Sequence, residues 1–138
     1  MEFLLNAPST ILVVDDSVPL HQIYTITLMR YKGNIIHALS GEEGLEKLRA
    51  HPDVSLLIVD ATMPRMSGLE FIKKVREQEA FRTTPIIVVS TRGTDEDSRE
   101  VLAFAQGVLQ KPFTSTELHT VVGKLIEAGV SAPAPPQP

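Results

Sequence analysis

Cysteine is absent from this chain of 138 residues, which excludes disulfides and thiol chemistry. Long apolar runs are absent too, and none approaches the roughly 20 residues that a membrane-spanning helix needs. Phe3-Leu4-Leu5 is too short for the apolar region of a signal peptide, and it follows Glu2 rather than a basic segment. Basic charge is in deficit. Thirteen Lys and Arg stand against 17 Asp and Glu, a formal net charge of −4. That argues against direct nucleic-acid binding, which calls for a basic stripe. These absences leave a cytoplasmic protein without membrane insertion as the expectation. With 43% apolar and 22% charged residues, the composition is that of an ordinary soluble domain.

What is present is an alternation. Short apolar runs occur at Ile11–Val14, Ile35–Ala38, Leu56–Val59, Ile86–Val89 and, more weakly, Val108-Leu109. Nearly continuous runs of this length suit strands covered on both faces. Amphipathic segments separate them. The first is expected to start at Pro19 and carries Leu20, Ile23, Tyr24, Thr27 and Leu28. The second opens on a capping box of Ser40 and Glu43, with Leu45 and Leu48 facing the sheet. The third carries Leu69, Phe71, Ile72 and Val75, and the fourth Val101, Leu102 and Phe104. The fifth carries Leu118, Val121, Val122, Leu125 and Ile126 at helical spacing. Five βα units in series predict an α/β fold, a five-stranded doubly wound parallel sheet with right-handed crossovers. From Ala132 the chain reads Ala-Pro-Ala-Pro-Pro-Gln-Pro, a polyproline-type tail or linker.

Five chemically telling residues fall at the ends of those runs: Asp15, Asp16, Asp60, Ser90 and Lys111. Ligands of open α/β sheets bind at the carboxyl ends of the strands. Three gathered carboxylates raise one another's pKa unless a cation relieves them, and an all-oxygen set of this kind suits Mg²⁺. A carboxylate can also attack phosphorus to give an acyl phosphate. Lys111 would neutralise phosphate charge as a compact cation, and Ser90 could donate to a phosphate oxygen. Together these are the parts of a phosphoryl-transfer site.

Here the chain resembles the receiver domains of two-component response regulators. Val13-Val14-Asp15-Asp16-Ser17 is similar to that family's acidic pair. The segment from Leu57 through Asp60-Ala61-Thr62-Met63-Pro64-Arg65-Met66-Ser67-Gly68 is similar to its phosphoacceptor strand and loop. Pro85-Ile86-Ile87-Val88-Val89-Ser90 resembles the strand ending in the switch hydroxyl, and Leu109-Gln110-Lys111-Pro112-Phe113 the lysine-proline motif. The resemblance implies a flavodoxin-like sheet of order 2-1-3-4-5. It divides the chain into an extension at 1–8, a receiver domain at 9–128 and a Pro-rich tail or truncated linker at 129–138. It implies Asp60 as phosphoacceptor, Asp16 as direct Mg²⁺ ligand, Asp15 acting mainly through water, and the Thr62 carbonyl completing the metal shell. Ser90 and Lys111 would bind the phosphate, and the Lys111-Pro112 bond would be cis. The implied partners are a histidine kinase or phosphotransfer protein and an unidentified target protein. The implied activity is that of a signalling phosphoacceptor, not of an enzyme with an independent substrate.

An Mg²⁺ phosphohydrolase of haloacid-dehalogenase type would need Asp-x-Asp after the first strand, whereas Asp15 and Asp16 are adjacent. The chain could also be the receiver fragment of a larger transcriptional or enzymatic regulator. Some positions depart from the family. Val108 stands where many receivers carry Tyr or Phe, so the usual inward swing of a ring is missing. Phe104-Ala105 stands where Gly-Ala is frequent, which alters the surface of the fourth helix, fifth strand and fifth helix. Thr91 stands where Ala is common and narrows phosphate access, and Arg92 and Thr62 flank the mouth, where acyl-phosphate lifetime is tuned. His21, His37, His51 and His119 have no metal-ligand spacing and are expected to be surface or partly buried. Lys73-Lys74-Val75-Arg76 reads as the solvated face of the third helix.

Overall fold

Strands form where the apolar runs lie, at β1 Thr10–Val14, β2 Asn34–Ala38, β3 Leu56–Asp60, β4 Ile86–Ser90 and β5 Gly107–Gln110. Between and after them come α1 Val18–Leu28, α2 Gly41–Ala50, α3 Gly68–Arg76, α4 Glu96–Leu102 and α5 Ser115–Ala128. The computed structural model describes residues 10–31, 34–91 and 96–128. The extension 1–8, Arg92 and the tail 129–138 lie outside the described residues. All pairings are parallel, and the strand order is 2-1-3-4-5. β1, β3 and β4 are flanked on both sides, whereas β2 and β5 are edges. Burial follows: β1 and β3 are buried throughout, while β2 and β5 are mostly part-exposed.

Alternate strand residues feed two cores. Leu12, Val14, Leu57, Val59, Ile86 and Val88 point to one face, where Leu48, Phe71, Ile72, Val75 and Val101 cover them. Ile11, Val13, Ile58, Ile87 and Val89 point to the other, under Tyr24 and Leu28 of α1 and Leu118, Val122 and Ile126 of α5. Each fully buried aliphatic side chain contributes about 1.5–3 kcal/mol of transfer free energy. That near-symmetric burial is what holds the central strands, and with them the strand ends, in place.

Four local expectations change. Ser17 caps α1 by accepting from the Leu20 N–H, so the helix starts at Val18 and Pro19 is its second residue. Leu102 is 40% exposed rather than facing the sheet, because α4 ends there and, among its described side chains, Val101 is the one that turns inward. Arg76 does not belong to a solvated face. Its guanidinium is buried and donates to the Phe81 carbonyl at 2.7 Å, closing the turn at Glu79–Phe81, while Lys73 and Lys74 are exposed. His21 is buried, with consequences described next.

Candidate functional site

The parallel sheet brings four strand ends to one edge. Asp15 follows β1, Asp60 closes β3, Ser90 closes β4 and Lys111 follows β5. Backbone bonds extend the ladders past the strands and fix these residues. The Asp15 N–H donates to Ala38, Ala61 N–H to Val89, and Lys111 N–H to Ser90 at 2.7 Å. The Lys111-Pro112 peptide bond is cis. One carboxylate oxygen from each of Asp15, Asp16 and Asp60 lies within 4.8 Å of the others.

The three acids differ in their surroundings. Asp60 is buried; its Oδ1 accepts from the Thr62 N–H at 3.1 Å and its Oδ2 from the Lys111 ammonium at 3.1 Å. Asp15 is fully buried, and its carboxylate is crowded with donors. Oδ1 accepts from the Ser17 N–H at 2.9 Å and Oδ2 from the Tyr24 hydroxyl at 3.0 Å. Lys111 Nζ lies 3.4 Å from Oδ1 and 3.3 Å from Oδ2. Asp16 is exposed, and no side-chain hydrogen bond or ion pair reaches its carboxylate among the described residues.

Charge follows from this crowding. Burial, and then the Asp15 charge, push the Asp60 pKa up to about 7, against the pull of the Thr62 N–H and Lys111. Burial disfavours the Lys111 ammonium, but the Asp15 and Asp60 carboxylates outweigh it and hold its pKa above the usual lysine value. A buried carboxyl that titrates near neutrality beside another buried carboxylate is a site that a cation would relieve. The donors are all hard oxygens, and Asp16 is open to a ligand, so the residues present fit Mg²⁺.

The loop after Asp60 is shaped by Gly68 and Arg65. A Cβ on Gly68 would lie 2.4 Å from the Asp60 carbonyl oxygen and 2.8 Å from the Ala61 Cα, both backbone atoms that cannot give way. The start of α3 therefore presses directly on Asp60, and only glycine permits it. Arg65 has a φ of 69°, a left-handed conformation that costs a non-glycine residue about 1–2 kcal/mol. Thr62 and Thr91 are both exposed at the strand ends. Val108 stands apart from the acids: it is 49% exposed on the edge strand β5 and lines a shallow groove of about 280 Å³ with Gln110, Thr116 and Val121.

Two residues near the acids have parts that sequence reasoning does not find. Tyr24 belongs to the apolar stripe of α1, yet its hydroxyl reaches Asp15. His21, one turn earlier, donates Nε2–H to the Asp15 carbonyl at 2.7 Å, while its Nδ1 meets His37 Nδ1 at 2.6 Å. The faint signal is their spacing, six and nine residues after Asp15, which places both on the turns of α1 above the end of β1.

Residues 11–123 match the family model described as the response regulator receiver domain. The chain is 40% identical over 120 residues to the chemotaxis protein CheY1 of Helicobacter pylori, covering 82% of this chain and 96% of that protein. It is 36% identical over 121 residues to a CheY homologue of Campylobacter jejuni, covering 86% and 93% of the two. The crystal structure of the Vibrio cholerae chemotaxis protein CheY4 superposes with a TM-score of 0.74 at 32% identity, covering 86% of this chain and 98% of that one. The family match, these relatives and the shared sheet agree: the chain belongs to the response regulator receiver domain family, as a CheY-like protein of two-component signalling.

Proposed function

We propose that the domain is switched by transfer of a phosphoryl group to Asp60, from a histidine kinase or a phosphotransfer protein. The observation that carries this reading is the contact of Lys111 Nζ with Asp60 Oδ2 at 3.1 Å inside a cluster of three carboxylates. In the step, a carboxylate oxygen of Asp60 bonds to phosphorus as the bond from phosphorus to the donor's imidazole nitrogen breaks. Return to the resting state is attack by water on that phosphorus, with the Asp60 carboxylate leaving. Mg²⁺, when bound, supplies charge neutralisation to the carboxylates and the phosphoryl oxygens.

Asp16, Asp60 and the Thr62 carbonyl are assigned as its direct ligands. Asp15 is assigned an indirect role through water, since the Ser17 N–H, the Tyr24 hydroxyl and Lys111 Nζ already hold both its oxygens in place and leave room for only one further donor. Lys111 pairs with the incoming phosphate, and Ser90 donates to it from the end of β4. Thr62 and Thr91 border the acceptor and tune the lifetime of the acyl phosphate. Binding or release of a target protein is the output, in the cytoplasm, where such a kinase presents its phosphohistidine. Acetyl phosphate with Mg²⁺ is expected to add one phosphate per chain by intact mass, and Asp60→Asn to abolish it. Wild-type phosphorylation retained in Asp60→Asn would overturn the assignment.

A further inference from the structure

The Asp15 carboxylate is held more completely than its neighbours, and the residue that completes the hold is Tyr24. We propose that Tyr24 is a positioning residue that keeps Asp15 out of direct contact with the cation and thereby sets the preference of the site for Mg²⁺ over Ca²⁺. The inference rests on the metal reading given above and deepens it.

A carboxylate offers about four lone-pair sites. In Asp15 three donors occupy them, the Ser17 N–H on Oδ1, the Tyr24 hydroxyl on Oδ2 and Lys111 Nζ shared between both oxygens, which leaves room for a water to donate. To ligate a cation directly, the carboxylate must turn from the orientation these donors fix, and that turn breaks one of the bonds. Lys111 also holds Asp60 and the Ser17 N–H is backbone at the start of α1, so Tyr24 is the donor whose removal frees an oxygen at least structural cost. The tyrosine cannot swing away. It is fully buried, with its ring 5.6 Å from that of Phe113 and 5.8 Å from that of His21. His21 in turn donates to the Asp15 carbonyl, so α1 grips the residue by backbone and side chain together. Asp16, exposed and without such donors among the described residues, is left as the ligand.

Cation choice follows from ligand count. Mg²⁺ keeps several waters in a strict octahedron and needs only one or two carboxylates. Ca²⁺ takes 6–8 oxygens and tolerates irregular geometry. An Asp15 free to turn adds an oxygen, which serves Ca²⁺ more than Mg²⁺.

The test is calorimetric titration of the full chain with MgCl₂ and with CaCl₂, in wild type, Tyr24→Phe, Asp15→Asn and the double variant. Tyr24→Phe keeps the ring and is expected to raise the Ca²⁺-to-Mg²⁺ affinity ratio about tenfold, the worth of one hydrogen bond to a charged group. In the Asp15→Asn background the same change is expected to leave the ratio unaltered. A residue with only a packing role would weaken both cations alike, and an unchanged ratio in Tyr24→Phe overturns the proposal. A second readout needs no metal and no folded Tyr24→Phe protein. The chain has two tyrosines and no tryptophan, so Asp15→Asn should shift the near-ultraviolet tyrosine band. An unshifted band likewise overturns it. Asp16→Ala separates the two levels: if it leaves Mg²⁺ affinity intact, the metal reading fails and this inference with it. If it weakens Mg²⁺ while Tyr24→Phe leaves the ratio alone, only the role of Tyr24 fails.

Discussion

At the scale of single residues, the site spends stability on chemistry. Asp60 has an ordinary pKa of 3.8 when free and about 7 when folded, so the folded state holds a proton that the unfolded state has lost. Stability from this group is therefore full below about pH 4 and is lost as pH rises through about 7. Asp60→Asn removes the titrating group while leaving Lys111 paired with Asp15. In metal-free buffer its melting temperature should exceed that of wild type, by more at pH 8 than at pH 5. A gap that shrinks as pH rises would show that Lys111 outweighs burial and the Asp15 charge. The two adjacent acids divide just as unequally. Asp16→Ala should weaken Mg²⁺ binding more than Asp15→Ala in a metal titration, since only Asp16 is open to a ligand. The residues of the candidate site were legible because each closes or follows an apolar run. The parts of Tyr24 and His21 were not, because a tyrosine in an apolar stripe looks like core until the end of its ring is seen to meet a carboxylate.

Among elements, legibility followed burial. The strands β1, β3 and β4 announce themselves, since a run buried on both faces has no polar residues to blur it. Helix ends were harder. The box expected at Ser40 forms only by half: Ser40 accepts from the Glu43 N–H, but the Glu43 carboxylate accepts from Leu39 rather than from Ser40. A reciprocal box instead joins Thr114 and Glu117, with bonds of 3.1 and 2.8 Å. Arg76 misled because a basic run is usually solvated, whereas here a turn buried its last member. The junction of β3 and α3 gives the strongest expectation at this scale. Gly68→Ala must push the start of α3 away from the Asp60 and Ala61 backbone. Phosphorylation by acetyl phosphate should slow several-fold, and stability should fall by about 1–3 kcal/mol in urea unfolding, the usual cost of overpacking. Wild-type values for both would mean that the helix start yields without moving Asp60.

For the molecule as a whole, Lys111 ties the edge strand β5 to the ends of β1 and β3, across β4 between them. Its ammonium faces two carboxylates that are almost wholly buried, Asp15 at 0% and Asp60 at 2% exposure. Removing one partner of a buried ion pair strands the other charge, at a cost of about 3–5 kcal/mol. Lys111→Met keeps the length and apolar stem of the side chain, so it isolates that cost from packing. The penalty should be large at pH 8, above the value of about 7 at which Asp60 loses its proton. Near pH 5 it should be much smaller, because Asp60 carries a proton in the folded state. The double variant Lys111→Met with Asp60→Asn should recover most of the loss at pH 8, since Asp15 then faces a neutral amide. Urea unfolding of wild type, both single variants and the double variant at the two pH values checks this. Additive effects at pH 8 would mean that Lys111 holds β5 in place by packing alone, and that the charges at the strand ends do not bind the sheet together.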